Sequence, residues 1–386
     1  MRWFRRLLYV ALVAGLVAAY AYGLLAWMAA RWGGELPALE TPRDRYAVVT
    51  VAEGLESPWG LAFPPDGRIL VTERPGRLRT VREGALDPAP VRGVPPVDAR
   101  GQGGLLDVAL HPDYARNRWL YLAWVAREGD ATGTRVARFR DEDGALADMR
   151  VVFPGAMHAG KLKHYGCRLA FGPDGMLYVT LGERGDGERA QDAADPHGAT
   201  LRLRDDGTIP PDNPFGAESP VWSIGHRNSQ GMAFQPGTGR LVQTEHGPTW
   251  NDGPGGGDEV NVVEAGRNYG WPAIHHREAR DGMESPLVEY TPALAPAGAC
   301  FCTGPAFPGW EGDYFFATLV GRRLVRLRFD GARPVGQETL LKDDYGRLRH
   351  VACAPDGTLY VLTSDTDAYG PGRAQGDRLL RIVPAR

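Results

Sequence analysis

The feature that most constrains the fold of this chain is a hairpin pattern that recurs six times. In each copy an apolar stretch leads into a turn rich in Pro and Gly, often Pro-Asp-Gly, and a second apolar stretch follows. The copies occupy residues 59–73, 106–124, 167–183, 230–247, 304–319 and 348–365. Asp-Gly turns between alternating apolar residues are a strong hairpin signal, and repetition at such intervals is typical of β-propellers. The repeats therefore predict an all-β fold, a six-bladed β-propeller.

Further apolar segments complete the predicted blades. Short alternating stretches at residues 136–139 and 324–329 follow the second and fifth hairpins, and each supplies another strand. We assign the propeller domain to residues 46–386. A pair of β-sandwiches is the alternative all-β interpretation of the same hairpins. In a propeller, residues just before each hairpin and just after its second strand face one another at one end of the channel, so a site is expected there.

Residues 1–32 are predicted to form a membrane anchor or a signal segment. Three arginines precede an uncharged run at residues 7–30, which is long enough to span a bilayer as a transmembrane helix. A cleaved secretory signal is the alternative, with Ala-Tyr-Ala at residues 19–21 as the cleavage site. Both interpretations keep the arginines inside and place the propeller in the periplasm, either anchored to the inner membrane or secreted. Residues 33–45 then form a short linker.

Composition excludes several functions. The chain has 386 residues, a net charge of −3 and no block of Lys or Arg beyond its N-terminus, which argues against a nucleic-acid partner. Its 51 glycines and 31 prolines accompany 43% hydrophobic residues, so the chain has many turns and still buries a core. No Cys-x-x-Cys pair occurs, so zinc ribbons and covalent haem attachment are not predicted. Disulfides or buried thiols both suit the four cysteines, which are Cys167, Cys300, Cys302 and Cys353.

Polar residues that suit catalysis or binding precede four of the hairpins. His164 comes before the third, and an imidazole with a pKa near neutrality can act as a general base. Arg227 comes before the fourth and offers a planar fork for a carboxylate or a developing oxyanion. Arg347 and Arg349, at the last hairpin, are two residues apart and point the same way from a strand. Gln102, between glycines before the second, can hydrogen-bond a polyol. Singly each residue also suits a structural role, but together the arginines predict a pocket for a small polyanion beside a histidine.

The turn after the fourth hairpin is a candidate calcium site. Gly247 and Pro248 form a tight turn whose carbonyl groups point outward, and calcium prefers oxygen ligands from backbone and carboxylates. Asp258 and Glu259 supply carboxylates downstream, and the glycines at 255–257 allow close approach of the backbone. No EF-hand loop is present, so such a site would be irregular. A solvated acidic loop is the alternative.

The chain resembles the soluble glucose dehydrogenase and aldose sugar dehydrogenase family. The likeness covers about residues 46–386 and rests on a set of motifs: GQGGLLDVALHPDY, HYGCRLAFGPDG, GERGD with AQD, GHRNSQGMAF, EHGP, GGDEVN, NYGWP and RLRHVACAPDGTLYVLT. Members of this family are six-bladed propellers that bind pyrroloquinoline quinone (PQQ) and calcium. The resemblance implies oxidation of aldose sugars at C1 to lactones, with electrons passed on to a membrane-bound or soluble acceptor.

The resemblance also implies roles for individual residues. His164 matches the general base that takes the proton of the C1 hydroxyl as hydride moves to the quinone. Gln102 matches a residue near the sugar. Arg227 and Asn228 match the pair that holds the quinone, and Arg227 would stabilise charge on its reduced oxygen. The residues that match contacts to the cofactor carboxylates are Arg347 and Arg349.

Metal ligands are implied in the same way. The carbonyls of Gly247 and Pro248 match ligands of the calcium that bridges to the cofactor. Glu259 and Tyr269 match a second calcium site that some members have.

Three positions depart from the family pattern. Val320 stands where a lysine often contacts the cofactor, and Lys163 replaces the acid that precedes the base in the glucose enzymes. The aromatic residue that stacks on the cofactor is usually Trp, and Tyr290 is the nearest candidate here. Two alternative functions remain open on the sequence: a calcium-dependent hydrolase of the lactonase type, and a propeller that only binds a partner. Neither needs three arginines around a polycarboxylate.

Overall fold

The computed structural model describes residues 36–39, 45–367 and 376–385. In this part of the chain the strands form six antiparallel sheets of four strands each, which confirms the predicted six-bladed propeller. The predicted anchor at residues 7–30 lies outside the described residues. Among the residues that are described, no helix is long and apolar enough to cross a membrane.

Consecutive segments of the chain build blades 1 to 3. Blade 1 consists of β2 (Pro58–Ala62), β3 (Ile69–Glu73), β4 (Arg77–Arg82) and β5 (Ala85–Leu86). Blade 2 consists of β6 (Leu105–Leu110), β7 (Trp119–Glu128), β8 (Ala131–Asp141) and β9 (Leu146–Phe153), with a helical turn, α1 (Tyr114–Asn117), between its first two strands. Blade 3 consists of β10 (Leu169–Phe171), β11 (Leu177–Leu181), β12 (Ala199–Leu203) and β13 (Val221–Ile224), with a 3₁₀ segment at Gly187–Gln191.

Blades 4 to 6 follow the same plan with one exception at the closure. Blade 4 consists of β14 (Ser229–Phe234), β15 (Leu241–Glu245), β16 (Asp258–Val263) and β17 (Val288–Tyr290). Blade 5 consists of β18 (Pro296–Phe301), β19 (Tyr314–Thr318), β20 (Leu324–Asp330) and β21 (Arg333–Leu340), with a 3₁₀ turn at Pro308–Trp310. Blade 6 combines β22 (Leu348–Cys353), β23 (Leu359–Thr363) and β24 (Asp377–Pro384) with β1 (Tyr46–Leu55) from the start of the domain.

Pairing between the two ends of the domain closes the ring. Strand β1 runs antiparallel to β24, with Tyr46 opposite Pro384 and Leu55 opposite Asp377. The first strand of each blade contacts the first strand of the next, and β22 contacts β2. The first strands therefore surround the central channel. We call the end of the channel at which these strands begin the mouth.

Apolar faces packed between neighbouring blades form the core. One cluster joins blades 2 and 3 through residues such as Leu106, Tyr121 and Leu177, and another joins blades 5 and 6 through Phe315 and Leu348. Because each blade buries both faces, its middle strands are buried along their length: all residues of β11 and β19 are buried. Alternation is clearer on outer strands such as β1, where one face remains exposed.

The fifth repeat differs from its predicted position. Its inner strand is β18, which ends at Phe301, whereas the sequence pattern placed the first half of this hairpin at residues 304–313. That stretch is instead a long connection that contains the 3₁₀ turn. Gly and Pro interrupt it, so it cannot keep the hydrogen bonds of a central strand. The outer segments at 136–139 and 324–329 do lie in β8 and β20, as predicted.

Candidate active site

A histidine and a glutamate form a buried pair at the mouth of blade 3. His164 Nδ1 lies 2.6 Å and 2.8 Å from the two carboxylate oxygens of Glu183, which follows β11. A carboxylate only accepts, so Nδ1 carries the hydrogen and Nε2 keeps its lone pair. Within the described residues no hydrogen bond involves Nε2. This arrangement fixes the tautomer that a general base requires.

The electrostatic surroundings keep the His164 imidazole neutral. Burial lowers the pKa of His164, and the hydrogen bond and charge of Glu183 oppose this effect. The positive charges of Arg227 and Lys163 lower the pKa further. The net direction is downward from 6.5, so the ring is unprotonated at neutral pH.

Local backbone geometry holds His164 in place. Its φ of 53° is in the left-handed region, which is uncommon for a residue with a side chain and is concentrated at functional sites. The side-chain oxygen of Gln102 accepts the His164 N–H at 2.8 Å. A Cβ on Gly182 would lie 2.3 Å from the His164 carbonyl oxygen and 2.9 Å from Asn228 Oδ1, so only glycine fits between them. Gln102 is thus a support of the histidine loop, in addition to its predicted contact with a sugar.

A second histidine with the same spacing to a glutamate is structural. His226 Nδ1 lies 2.9 Å from Glu245 Oε2, and its Nε2 lies 2.8 Å from Ser223 Oγ. Both ring nitrogens are therefore occupied, and the ring is stacked on Tyr269 at 4.9 Å. This comparison singles out His164, because its Nε2 can still accept a proton.

Arg227 and Asn228 line the mouth at blade 4. The Arg227 backbone N–H donates to Glu245 at 2.6 Å, and its Nη2 donates to Asp252 at 2.8 Å. Burial alone would raise the pKa of Asp252, but the hydrogen bond and charge of Arg227 outweigh it and bring the value to about 2. Asn228 Oδ1 accepts the N–H of Gly166, two residues beyond His164. The fourth blade is thereby coupled to the histidine loop of the third.

Arg347 and Arg349 reach the mouth from blade 6 and share one partner. Both Nη2 atoms lie 3.2 Å from Asp367 Oδ2, which shows that the two side chains point the same way, as predicted. Arg349 Nη1 also donates to Gln230 of β14 at 2.7 Å. Burial lowers the pKa of Arg349 to about 10; Asp367 opposes this effect, and the charges of Arg74 and Arg347 add to it. Even so, the guanidinium remains charged at neutral pH.

His246 shows that these residues converge. Burial lowers the pKa of His246 to about 3, and the positive charges of Arg227, Arg349 and a protonated His164 act in the same direction. Residues of blades 3, 4 and 6 thus act on one imidazole. Within the described residues, Arg227 Nε, Arg349 Nε and His246 Nε2 are buried without a hydrogen-bond partner. The Nε atoms of Arg227 and Arg349 are donors, and unpaired buried donors of this kind fit an anionic ligand with several acceptor oxygens.

The turn at Gly247 and Pro248 fits a cation that takes oxygen ligands. In the described part of the chain, no hydrogen bond to the carbonyl of either residue is present. A Cβ on Gly247 would lie 2.2 Å from the Gly256 carbonyl oxygen and 2.3 Å from that of Gly257, so the two chain segments are pressed together. Asp258 fixes the turn by accepting the Gly247 N–H at 2.9 Å. The donor set consists of carbonyl groups, which suits calcium better than a transition metal.

Comparison with known proteins settles the family. Residues 55–370 match the model of the family described as Glucose / Sorbosone dehydrogenase. An aldose sugar dehydrogenase of Escherichia coli is 38% identical over 340 residues, which cover 83% of this chain and 90% of that protein. The chain belongs to the glucose/sorbosone dehydrogenase family. It is accordingly an oxidoreductase.

Solved structures agree with this assignment. The PQQ-bound form of aldose sugar dehydrogenase from Streptomyces coelicolor superposes with a TM-score of 0.78 at 35% identity and covers 89% of this chain and all of that one. Quinoprotein glucose dehydrogenase B of Acinetobacter calcoaceticus is 32% identical over 255 residues, which cover 58% of this chain and 52% of that protein.

The second calcium site, with Glu259 and Tyr269 as its ligands, remains a prediction. Glu259 is opposite Glu245 on one neighbouring strand and Glu289 on the other. Burial raises the pKa of Glu259, and the charge of Glu245 adds to it. The Tyr269 hydroxyl donates to the Val262 carbonyl at 2.6 Å and accepts the Glu264 N–H at 2.9 Å, so neighbouring backbone groups satisfy it. No group of three or more His, Cys, Asp or Glu side chains suited to a metal is present in the described residues.

Tyr290 lies between blades rather than among the arginines. Its ring packs edge-to-face on Phe316 at 5.7 Å, and its hydroxyl lies 3.2 Å from Gln337 Oε1 on the outer strand of blade 5. Val320 is 60% exposed in the loop after β19. The prediction that Tyr290 stacks on a cofactor remains a prediction, and these contacts describe a residue of the interface between blades 4 and 5.

Proposed function

We propose that this protein oxidises the C1 hydroxyl of aldose sugars to lactones with PQQ and calcium bound at the mouth. The observation that carries the proposal is the His164–Glu183 pair, whose Nε2 is unpaired and whose ring is close enough to Arg227 for that charge to lower its pKa. A lactonase would use a base and a metal but would not need the buried, unpaired Nε atoms of Arg227 and Arg349. A propeller that only binds a partner would need none of these groups.

Different residues of the mouth have different roles in this proposal. Nε2 of His164 takes the proton of the sugar C1 hydroxyl, and Glu183 stabilises the imidazolium that results. Arg347 and Arg349 would hold the cofactor carboxylates, and Arg227 with Asn228 would hold its quinone edge. When bound, PQQ would supply the acceptor for the hydride of C1. The carbonyls of Gly247 and Pro248 would hold calcium, which would polarise that acceptor.

The substrate proposed is a free aldose rather than a specific sugar. Gln102 lies next to the His164 backbone and presents a side-chain amide at the edge of the mouth. Lys163, which is 3.7 Å from Asp252, replaces an acid at the substrate edge. The contact that this acid makes in the glucose enzymes is therefore not carried over to this chain.

Reconstitution tests the proposal. The purified full chain is loaded with PQQ and calcium, and dye reduction is followed with a panel of aldoses. We expect sugar-dependent reduction that His164→Ala abolishes while PQQ binding, followed by fluorescence titration, persists. The matched control is His111→Gln, because His111 follows the far end of β6, away from the mouth. Absence of both PQQ binding and dye reduction in the wild type would refute the proposal.

A further inference from the structure

Three of the four cysteines lie together at the end of the channel opposite the mouth. Cys300 is in β18, Cys302 follows it directly, and Cys353 ends β22. Because the first strands begin at the mouth, their last residues lie at the far end. The three thiols therefore belong to blades 5 and 6 and have no part in the chemistry proposed for His164.

Two of these thiols are in contact. Cys302 Sγ and Cys353 Sγ are 4.0 Å apart across the boundary between the blades, and all four cysteines of the chain are free. The surrounding backbones are already pressed together, since a Cβ on Gly304 would lie 2.9 Å from the N atom of Gly357. The Ala306 N–H also donates to the Asp356 carbonyl at 3.2 Å. A disulfide needs the two sulfurs to approach from 4.0 Å to about 2.05 Å.

The two cysteines differ in the way that thiol–disulfide exchange requires. Cys353 is partly exposed, while Cys302 is buried. The contact with Cys302 lowers the pKa of Cys353, and the N–H of Thr303, 3.2 Å from its sulfur, acts in the same direction. The hydrogen bond with Cys353 raises the pKa of Cys302, and burial adds to this effect. Cys353 is therefore the accessible thiolate and Cys302 the resolving thiol.

We propose that Cys302 and Cys353 form a reversible disulfide that links blade 5 to blade 6. The oxidant is a small-molecule or protein disulfide. The Cys353 thiolate attacks one sulfur of that disulfide and releases the first thiolate. Cys302 then loses its proton, attacks Cys353 Sγ and releases the second. The sum is two cysteine thiols plus one external disulfide giving one protein disulfide and two external thiols, with two electrons passed to the oxidant.

The bond would strengthen the ring beside its closure. Blade 6 is completed by β1 from the other end of the domain, so its attachment to blade 5 is the junction next to the closure. The bridged residues are 51 apart in sequence, and closing a loop of that length restricts the unfolded chain. We expect the melting temperature to rise on the order of 5–10 °C on oxidation. The predicted export of the domain places it in a compartment where disulfides persist.

Oxidation of the full chain with glutathione disulfide tests this proposal. Titration of thiols in denaturant should fall from four to two, and mapping of proteolytic peptides without reduction should join the peptide with Cys353 to that with Cys302. Cys300→Ser should retain the link, and Cys302→Ser should lose it along with the thermal shift. Fragmentation of the linked wild-type peptide assigns the bond even if a variant fails to fold. Four remaining thiols, or a link through Cys300, would overturn the proposal.

Discussion

At the scale of single residues, the mouth depends on acids to which the sequence pattern assigned no role. Glu183 orients His164, and Asp367 holds Arg347 and Arg349 together. The bases and cations were predictable because few residue types perform that chemistry. Their acidic partners were not, since a carboxylate after a strand resembles any solvated turn residue. The sequence did contain a signal for Glu183. It lies at the end of the third repeat, and blades 1, 4 and 6 have Glu73, Glu245 and Asp365 at the corresponding place.

The pair of His164 and Glu183 predicts a pH profile. Since the pKa of His164 is lowered in the fold, the acid limb of kcat/KM should lie below pH 6.5. Glu183→Gln removes a charge that raises this pKa, so the limb should move to still lower pH. Activity at neutral pH should fall roughly 10–100-fold as the ring loses its orientation. Steady-state rates from pH 4 to 8 measure both effects, and a limb that moves to higher pH would contradict the assignment.

Asp252 predicts an effect on cofactor affinity. Its carboxylate neutralises Arg227 and lies 3.7 Å from Lys163, so it opposes any polyanion that approaches the mouth. Asp252→Asn should tighten PQQ binding by up to about tenfold, which corresponds to ~1.4 kcal/mol. Equilibrium fluorescence titration measures this without turnover. Asp148→Asn, on the exposed outer strand of blade 2, is the control and should bind as the wild type does. Weaker binding in Asp252→Asn would contradict this account.

At the scale of elements, one repeated unit builds both the scaffold and the mouth. In four blades the second strand carries a Val and, one or two residues later, a Thr, and an acid follows one to three residues after the Thr, at residues 71–73, 179–183, 242–245 and 361–365. In blades 1, 4 and 6 that acid accepts the N–H of the residue that leads into the first strand. In blade 3 the acid is Glu183, and it binds the His164 ring instead. The pair proposed for catalysis is therefore a modified structural contact of the repeat.

The threonine of this unit ties neighbouring blades together. Thr72, Thr180 and Thr244 each donate a hydroxyl hydrogen to a backbone carbonyl on the first strand of the next blade. Thr180→Val should therefore lower the free energy of unfolding by about 1–3 kcal/mol, because it leaves the buried Ser229 carbonyl unpaired. Denaturant titration measures the change. Thr50→Val, on the exposed face of β1, should leave stability nearly unchanged, and equal effects of the two changes would count against this role.

The sequence predicted five of the six hairpins in place, and the exception has a physical cause. Asp-Gly turns set the register where they occur, as in blades 1, 3 and 6. Blade 5 replaces the short turn with a connection that contains the Pro308–Trp310 3₁₀ turn. Aromatic residues on both sides of that connection are typical of a strand, so the predicted position of the fifth hairpin was shifted along the chain. Local propensity cannot separate a buried connection from a buried strand when both are apolar.

At the scale of the whole molecule, the site exists only when the ring is closed. His164, Arg227 and Arg349 come from blades 3, 4 and 6, and they meet at His246. Sequence motifs could name these residues but could not show their distances, because their convergence depends on the pairing of β1 with β24. Closure is thus a requirement for function as well as for stability.

Truncation tests the importance of closure. A chain that begins at residue 46 retains β1 and should fold with the thermal stability of a complete propeller. A chain that begins at residue 56 leaves β24 as an unpaired edge and should melt at lower temperature, aggregate more readily and bind PQQ poorly. Differential scanning calorimetry and cofactor titration compare the two. Equal melting temperatures would show that β1 is dispensable.

The most direct test of the central claim is the absorbance spectrum of the reconstituted full chain during a single turnover. The protein, loaded with PQQ and calcium and without added dye, is mixed with an aldose. We predict that the spectrum of the oxidised cofactor converts to that of the reduced form in the wild type, and that His164→Ala keeps the cofactor bound in its oxidised form. A spectrum that stays unchanged in the loaded wild type with every aldose would contradict a sugar dehydrogenase at this mouth.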